Sequence, residues 1–155
     1  MMYGQVTICH FSGTGNALTA GRWIADVAAG KGMKADLLAI DRFGRIEPPA
    51  AAGKRLLGFC YPTHGFGIPW TMLKFILRFP ARARCDAFLL NTRGGLKIGR
   101  LFIPGVSGIA QLLPALILLL KGFRIRGLLP LDPPSNWVSI HPGCRPAEAE
   151  ALMAR

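Results

Sequence analysis

The sequence predicts an α/β fold in which a parallel β-sheet is covered by helices on both faces. Two observations carry this. Short apolar, β-branched runs alternate with segments of helical periodicity along the whole chain, the pattern of strand–helix–strand units. The apolar runs are near-continuous and do not alternate in polarity, as expected of strands buried on both sides. A chain of 155 residues, 51% hydrophobic and 17% charged, suits one domain spanning 1–155 with a substantial core and excludes a disordered, solvating chain.

Taken in order, Val6-Thr7-Ile8-Cys9-His10-Phe11 is the first strand and stops at Ser12-Gly13-Thr14-Gly15-Asn16. Leu18, Gly21, Ile24, Ala25 and Ala28 then recur at helical spacing until Gly30 and Gly32 end the helix. Residues 35–40 form a second strand, followed by a Pro/Ala/Gly-rich connection over 46–53. Residues 55–61 form a third strand and run into Pro62-Thr63-His64-Gly65-Phe66-Gly67-Ile68. Pro69 opens a helix with Trp70, Leu73, Ile76 and Leu77 on one face, and Pro80 closes it. Residues 87–92 form a fourth strand ending at Arg93-Gly94-Gly95, and residues 123–129 a fifth before the turn-rich 130–136. Pro146 and the Ala/Glu run after it start a helix that the chain end at Arg155 cuts short. Trp23 and Trp70 are expected to pack on helix faces.

The charge is uneven. Nineteen Lys and Arg face eight Asp and Glu, and between Lys54 and Arg126 there are 12 bases against one acid, Asp86. Such a surface attracts nucleic acid, anionic lipid or an anionic protein. Nucleic acid is the poorest of these, because the bases are not interleaved with an aromatic platform or set on a recognition helix. Cys9, Cys60, Cys85 and Cys144 form no CxxC pair, so they read as reduced, mostly buried thiols, and no His/Cys/Asp/Glu spacing suggests a metal. The start of the chain lacks a basic, then apolar, secretory leader, which makes the cytoplasm the expected compartment.

From Leu101 to Leu120 there are 20 uncharged residues flanked by Lys97, Arg100, Lys121, Arg124 and Arg126. The stretch reads as a crossover helix, as an interfacial helix on anionic lipid, or as a membrane span, although Pro104, Gly105, Ser107, Gly108, Gln111 and Pro114 interrupt it. Ile109, Leu112, Leu113, Leu116, Ile117, Leu119 and Leu120 nearly surround the helix, so its outer face needs cover from lipid, a second copy of the chain in a homodimer, or another domain.

Ligands of such sheets sit outside the carboxyl ends of the strands, where three loops here have special composition: 12–16, 62–68 and 92–95. The first sets hydroxyls and glycines at the positive end of a helix, an anion site. It has no lysine of a GxxxxGK[ST] loop and no GxGxxG spacing, so a single terminal phosphate is the better guest.

His10-Phe11-Ser12-Gly13-Thr14-Gly15-Asn16-Ala17-Leu18 resembles the FMN phosphate loop of flavodoxins, in the form typical of the flavodoxin half of flavodoxin–ferredoxin fusion proteins. Tyr61-Pro62 with Gly67-Ile68-Pro69 is similar to that family's second loop, Thr92 with Gly94-Gly95 to its third, and Pro134-Ser135-Asn136-Trp137 to a later proline–asparagine–aromatic segment. The resemblance covers about residues 6–143. It implies a flavodoxin-like, doubly wound sheet of five strands in the order 2-1-3-4-5. It also implies non-covalent FMN, its phosphate at Ser12, Gly13, Thr14, Gly15 and Asn16 and its ring between Pro62, Thr63, His64, Gly65, Phe66 and Gly67 on one side and Thr92, Arg93, Gly94 and Gly95 on the other.

His64 and Phe66 are the candidates to cover a ring face, His64 also reading as a solvated loop histidine and Phe66 as a hydrophobic plug. Arg93 would set positive charge near the ring or lie on the surface. His10 could approach the phosphate loop, its blander reading being a histidine satisfied by local backbone, and His141 is expected in a turn. No catalytic side chain is required, and the expected role is electron transfer between a reductant and an acceptor, with a redox protein, ferredoxin-like in the fusion proteins, as partner. The chain ends at Arg155 without a cysteine-rich half, so it reads as a fragment or a stand-alone domain, and its basic middle departs from acidic single-domain flavodoxins. Two rivals stay open: a membrane-associated flavin oxidoreductase acting on a quinone- or porphyrin-like substrate, and a docking module without a cofactor.

Overall fold

The computed structural model describes residues 3–40, 54–81, 85–94, 96–98, 101–103 and 105–133; the 46–53 connection, Gly95, the 134–137 segment, His141, Cys144 and the expected last helix lie outside them. The elements are β1 (Gln5–His10), α1 (Asn16–Gly30), β2 (Lys34–Ala39), β3 (Arg55–Pro62), α2 (Trp70–Arg78), β4 (Cys85–Thr92), β5 (Leu96–Ile98), β6 (Leu101–Ile103), α3 (Ile109–Leu120) and β7 (Phe123–Leu131). Five strands form one parallel sheet in the order β2-β1-β3-β4-β7, the expected 2-1-3-4-5 arrangement, and β5 and β6 form a separate antiparallel pair.

The three inner strands, β1, β3 and β4, bury both faces, whereas the edge strands β2 and β7 are partly exposed. On the side of α1, Val6, Ile8, Cys60, Phe88 and Leu90 meet Ala20, Ala25 and Ala28 of the helix. On the other side Phe59, Tyr61, Leu89 and Phe123 meet Met72, Ile76 and Phe79 of the α2 segment and Leu118 of α3. Small residues set the spacing between layers. Gly58 in β3 pairs with Phe88 in β4, and a Cβ on Gly58 would lie 2.3 Å from Phe88 Cζ, so the ring occupies the space that a side chain there would need.

Two helices differ from the periodic reading. In α2 the buried side chains are Met72 and Ile76, whereas Trp70 (63%) and Leu77 (48%) are exposed. Apolar residues at 70/73/77 and at 72/76/79 make two overlapping arcs, and periodicity leaves open which one meets the sheet. Trp23 of α1, also expected to pack, is 44% exposed. The apolar stretch from Leu101 is not one helix: 101–103 is strand, and α3 has 12 residues, about 18 Å at helical rise. No helix among the described residues is long and apolar enough to cross a membrane, which removes the spanning reading.

Pro114 sits inside α3 and has no N–H, so the carbonyl of Ala110, four residues earlier, loses its helical donor. The Tyr61 hydroxyl of β3 donates to that carbonyl at 2.8 Å, and both residues are fully buried. Burial, with a smaller contribution from Cys60, pushes the Tyr61 phenol well above its ordinary range, which keeps it a donor. Tyr61→Phe is expected to strand the carbonyl and lower unfolding free energy by about 1–3 kcal/mol in chemical denaturation. In a Pro114→Ala background, where the helix supplies its own donor, the same change is expected to cost less than half as much.

At the opposite end of the sheet Asp86 is buried. It accepts from Tyr3 at 2.7 Å and pairs with Arg124 at 2.7 Å and Arg126 at 3.2 Å. Arg126 is the extra residue of a bulge in β7, where the register passes from Ala87/Ile125 to Phe88/Gly127. Burial opposes ionisation of Asp86, but the Tyr3 hydroxyl and the two guanidiniums outweigh it and hold the carboxyl below its ordinary range. The folded chain therefore binds this proton less readily than the unfolded one. The resulting stability is complete above the unfolded carboxyl pKa of about 4 and is lost as pH falls through the lower folded value. Asp86→Asn is expected to cost about 1–3 kcal/mol at pH 7, and this difference from wild type should shrink below pH 4 in denaturant titrations.

Candidate functional site

The parallel register brings the three special loops to one edge of the sheet, because His10 lies opposite Cys60, and Pro62, Thr92 and Leu131 align across β3, β4 and β7. Backbone bonds extend this alignment beyond the strands: Phe11 N–H donates to Cys60 O, Thr63 N–H to Thr92 O and Arg93 N–H to Leu131 O.

The first loop leads into α1 through Gly15 at φ 90°, and no side chain caps the helix; its first turn carries no acid. Gly13 and Thr14 are exposed, and the space around the Gly13 and Gly15 Cβ positions is open to 4 Å. An amino end without a side-chain acceptor, reached through small residues and facing open space, suits an anion bound by backbone donors. No carboxylate lies in the three loops to compete for these donors.

The second loop is a two-residue turn. His64 and Gly67 exchange both backbone hydrogen bonds at 2.9 Å, and between them Gly65 (φ 53°) and Phe66 (φ 64°) both take the left-handed conformation. A phenylalanine there is strained, at a cost on the order of 1–3 kcal/mol. Its ring is 65% exposed at the tip. The base of the turn is braced by Phe11, whose ring meets the His64 ring edge-on at 6.3 Å.

In the third loop Arg93 points to Asp132, with Nε and Nη2 donating to the two carboxylate oxygens at 2.8 and 2.9 Å. Its charge is thus matched by a carboxylate and holds the end of β4 to the end of β7. Asp132 also accepts from Gly105 N–H at 3.0 Å. Buried Asn91 donates to Thr63 Oγ1 at 2.6 Å and to Ser107 Oγ at 3.3 Å, and Arg93 Nη1 donates to the same Ser107 hydroxyl at 3.3 Å. The segment 105–108 is therefore wedged between the loops. A Cβ on Gly105 would lie 2.6 Å from Gly94 O, and one on Gly108 2.8 Å from Phe66 O.

All fifteen site residues expected from sequence except Gly95, which lies outside the described residues, fall on this one edge. Sequence reasoning did not single out Asn91, Gly105, Ser107 and Asp132, which join the loops. The signal available was the cluster of Gly and Ser interrupting the apolar run. His10 ends β1, half-buried, and its carbonyl accepts from Ile40 N–H. Cys9 and Cys60 are buried, and burial pushes their thiols up to about 12, which disfavours the thiolate at neutral pH.

No protein-family model matches the sequence, and no curated protein does. Among solved structures, the chain is similar to a flavodoxin from the domain Archaea, with a TM-score of 0.61 and 12% identity over 97% of this chain and 92% of the other. At that identity the likeness establishes the fold, which is flavodoxin-like.

Breaking the Arg93–Asp132 pair from either side is expected to cost about 1–3 kcal/mol, since the remaining group stays largely buried. Asp132→Asn should also speed amide exchange in the 105–108 segment. A double-mutant cycle with Arg93→Gln should show coupling of at least about 0.5 kcal/mol.

Proposed function

We propose that the chain binds FMN non-covalently and carries electrons between a reductant and a redox protein acceptor. The supporting observation is the convergence of three loops on one sheet edge, the first of them an uncapped, carboxylate-free helix start, within a flavodoxin-like topology. In this reading Ser12, Gly13, Thr14, Gly15 and Asn16 hold the phosphate. Phe66, presented by its strained turn, covers one ring face, and the Thr92–Gly94 backbone lines the ring edge. FMN supplies the redox chemistry, and the protein supplies binding, orientation and exclusion of water. The Ser12–Asn16 loop form further supports placing the chain with the flavodoxin half of the flavodoxin–ferredoxin fusion proteins, which would make its partner ferredoxin-like.

The test is retention of flavin absorbance after incubation with FMN and removal of free ligand. Gly13→Asp adds a carboxylate where the Cβ position is open and φ is not positive, so it should abolish retention without unfolding the chain by circular dichroism. Phe66→Asn should separate two effects. Asparagine tolerates the left-handed conformation, so stability is expected to hold or rise by about 0.5–1 kcal/mol, while FMN affinity falls about tenfold. Folded wild-type protein that retains no flavin would overturn the proposal and leave the edge as a docking surface.

A further inference from the structure

Helix α3 is amphipathic in the reverse sense. Its buried positions are Ala110, Gln111, Pro114, Ala115 and Leu118, whereas Ile109 (57%), Leu112 (66%), Leu116 (54%), Leu119 (52%) and Leu120 (80%) are exposed. The neighbouring α2 adds exposed Trp70 and Leu77. The carboxyl ends of the two helices are joined by Lys121, whose Nζ donates to the Leu77 and Phe79 carbonyls at 2.7 Å. One apolar surface therefore runs across both helices and continues through Val106 to the exposed Phe66 beside Gly108.

Cations border this surface: Lys74, with Nζ 5.1 Å from the centre of the Trp70 ring, exposed Arg78 in the last turn of α2, and Lys121. The described acids lie elsewhere. Asp26 is on α1 across the sheet, Asp36 on β2, Asp86 is buried at the opposite sheet end, and Asp132 is bound to Arg93.

We propose that the α2–α3 face docks on a membrane leaflet rich in anionic lipid, with the leucines entering the acyl boundary and Lys74, Arg78 and Lys121 meeting headgroup phosphates. Leucine and isoleucine side chains beside a tryptophan and basic residues are the composition of an interfacial helix. A second copy of the chain is the weaker occupant, because a two-fold contact would set these cations against each other with no described acid between them. A protein partner is weaker too. The outer side chains of α3 have no polar atom, whereas a protein interface carries about one hydrogen bond per 100–200 Å².

The surface is separate from the first loop, so its test does not depend on flavin binding. The whole chain is sedimented with vesicles of phosphatidylcholine alone and of phosphatidylcholine with one quarter phosphatidylglycerol, and brominated lipid is used to quench tryptophan. The expected result is binding to the anionic vesicles at least tenfold tighter than to neutral ones, with quenching that Trp70→Phe reduces. Leu116→Gln with Leu119→Gln, and separately Lys74→Glu with Arg78→Glu, should each weaken binding at least tenfold, with circular dichroism unchanged. Three results would each overturn the proposal: no binding to anionic vesicles, binding that the leucine substitutions leave intact and unquenched, or a dimer in sedimentation velocity that those substitutions dissociate.

Discussion

The hydroxyl of Tyr61 is the point on which much of the upper half of the molecule depends. A proline in the middle of α3 would leave a buried carbonyl without a donor, and the helix would have to bend or hydrate to satisfy it. Donation from β3 to Ala110 O removes that need and fixes the first turn of α3 against the sheet. Position then propagates along the chain. With Ala110 held, Gly108 lies against Phe66, Ser107 reaches Asn91 and Arg93, and Gly105 reaches Asp132. The loops of the candidate site share one frame because the segment between them is anchored from below.

The same anchoring explains the unusual outer face of α3. A helix drawn close to a parallel sheet accepts mainly small residues on its inner side, and Ala110, Pro114 and Ala115 occupy that side together with Gln111 and Leu118. Apart from Leu118, most of the bulky leucines that would ordinarily build a core face outward, into surroundings that contain bases and no described acid. The electrostatic arrangement follows the fold in the same way. Asp86, the one acid between Lys54 and Arg126, is used at the far end of the sheet to hold Tyr3, Arg124 and Arg126. Among the described residues, no acid on the α2–α3 side offsets the remaining bases.

Strands were legible because a parallel strand is apolar on both faces, and runs such as Val6-Thr7-Ile8-Cys9 and Phe88-Leu89-Leu90 permit little else. The first loop was legible as a small-residue entry to a helix because glycines, hydroxyls and a following helix are neighbours in sequence. The β5/β6 pair escaped notice because three-residue strands within a longer apolar run carry no period to read. The face of α2 was misread for a different reason: two apolar arcs overlapped, and contact with Phe59 and Leu89 decided between them. Phe66 illustrates a third kind of gap. Its aromatic character was visible, but its left-handed backbone and outward ring arise from a turn closed by two hydrogen bonds and pressed against Gly108.

By itself the sequence determined the class of fold, the order of the five sheet strands, the composition of the first loop and the excess of positive charge. These are local or additive properties, written in neighbouring residues and in composition. Tertiary structure decided which groups at a distance in sequence satisfy one another: Tyr61 with Ala110, Asn91 with Thr63, Arg93 with Asp132, and Asp86 with Tyr3 and two arginines. It also decided which side of α3 faces out. Partners across tens of residues are selected by sheet register and by the need to pair every buried polar group, and neither is present in any short stretch of chain.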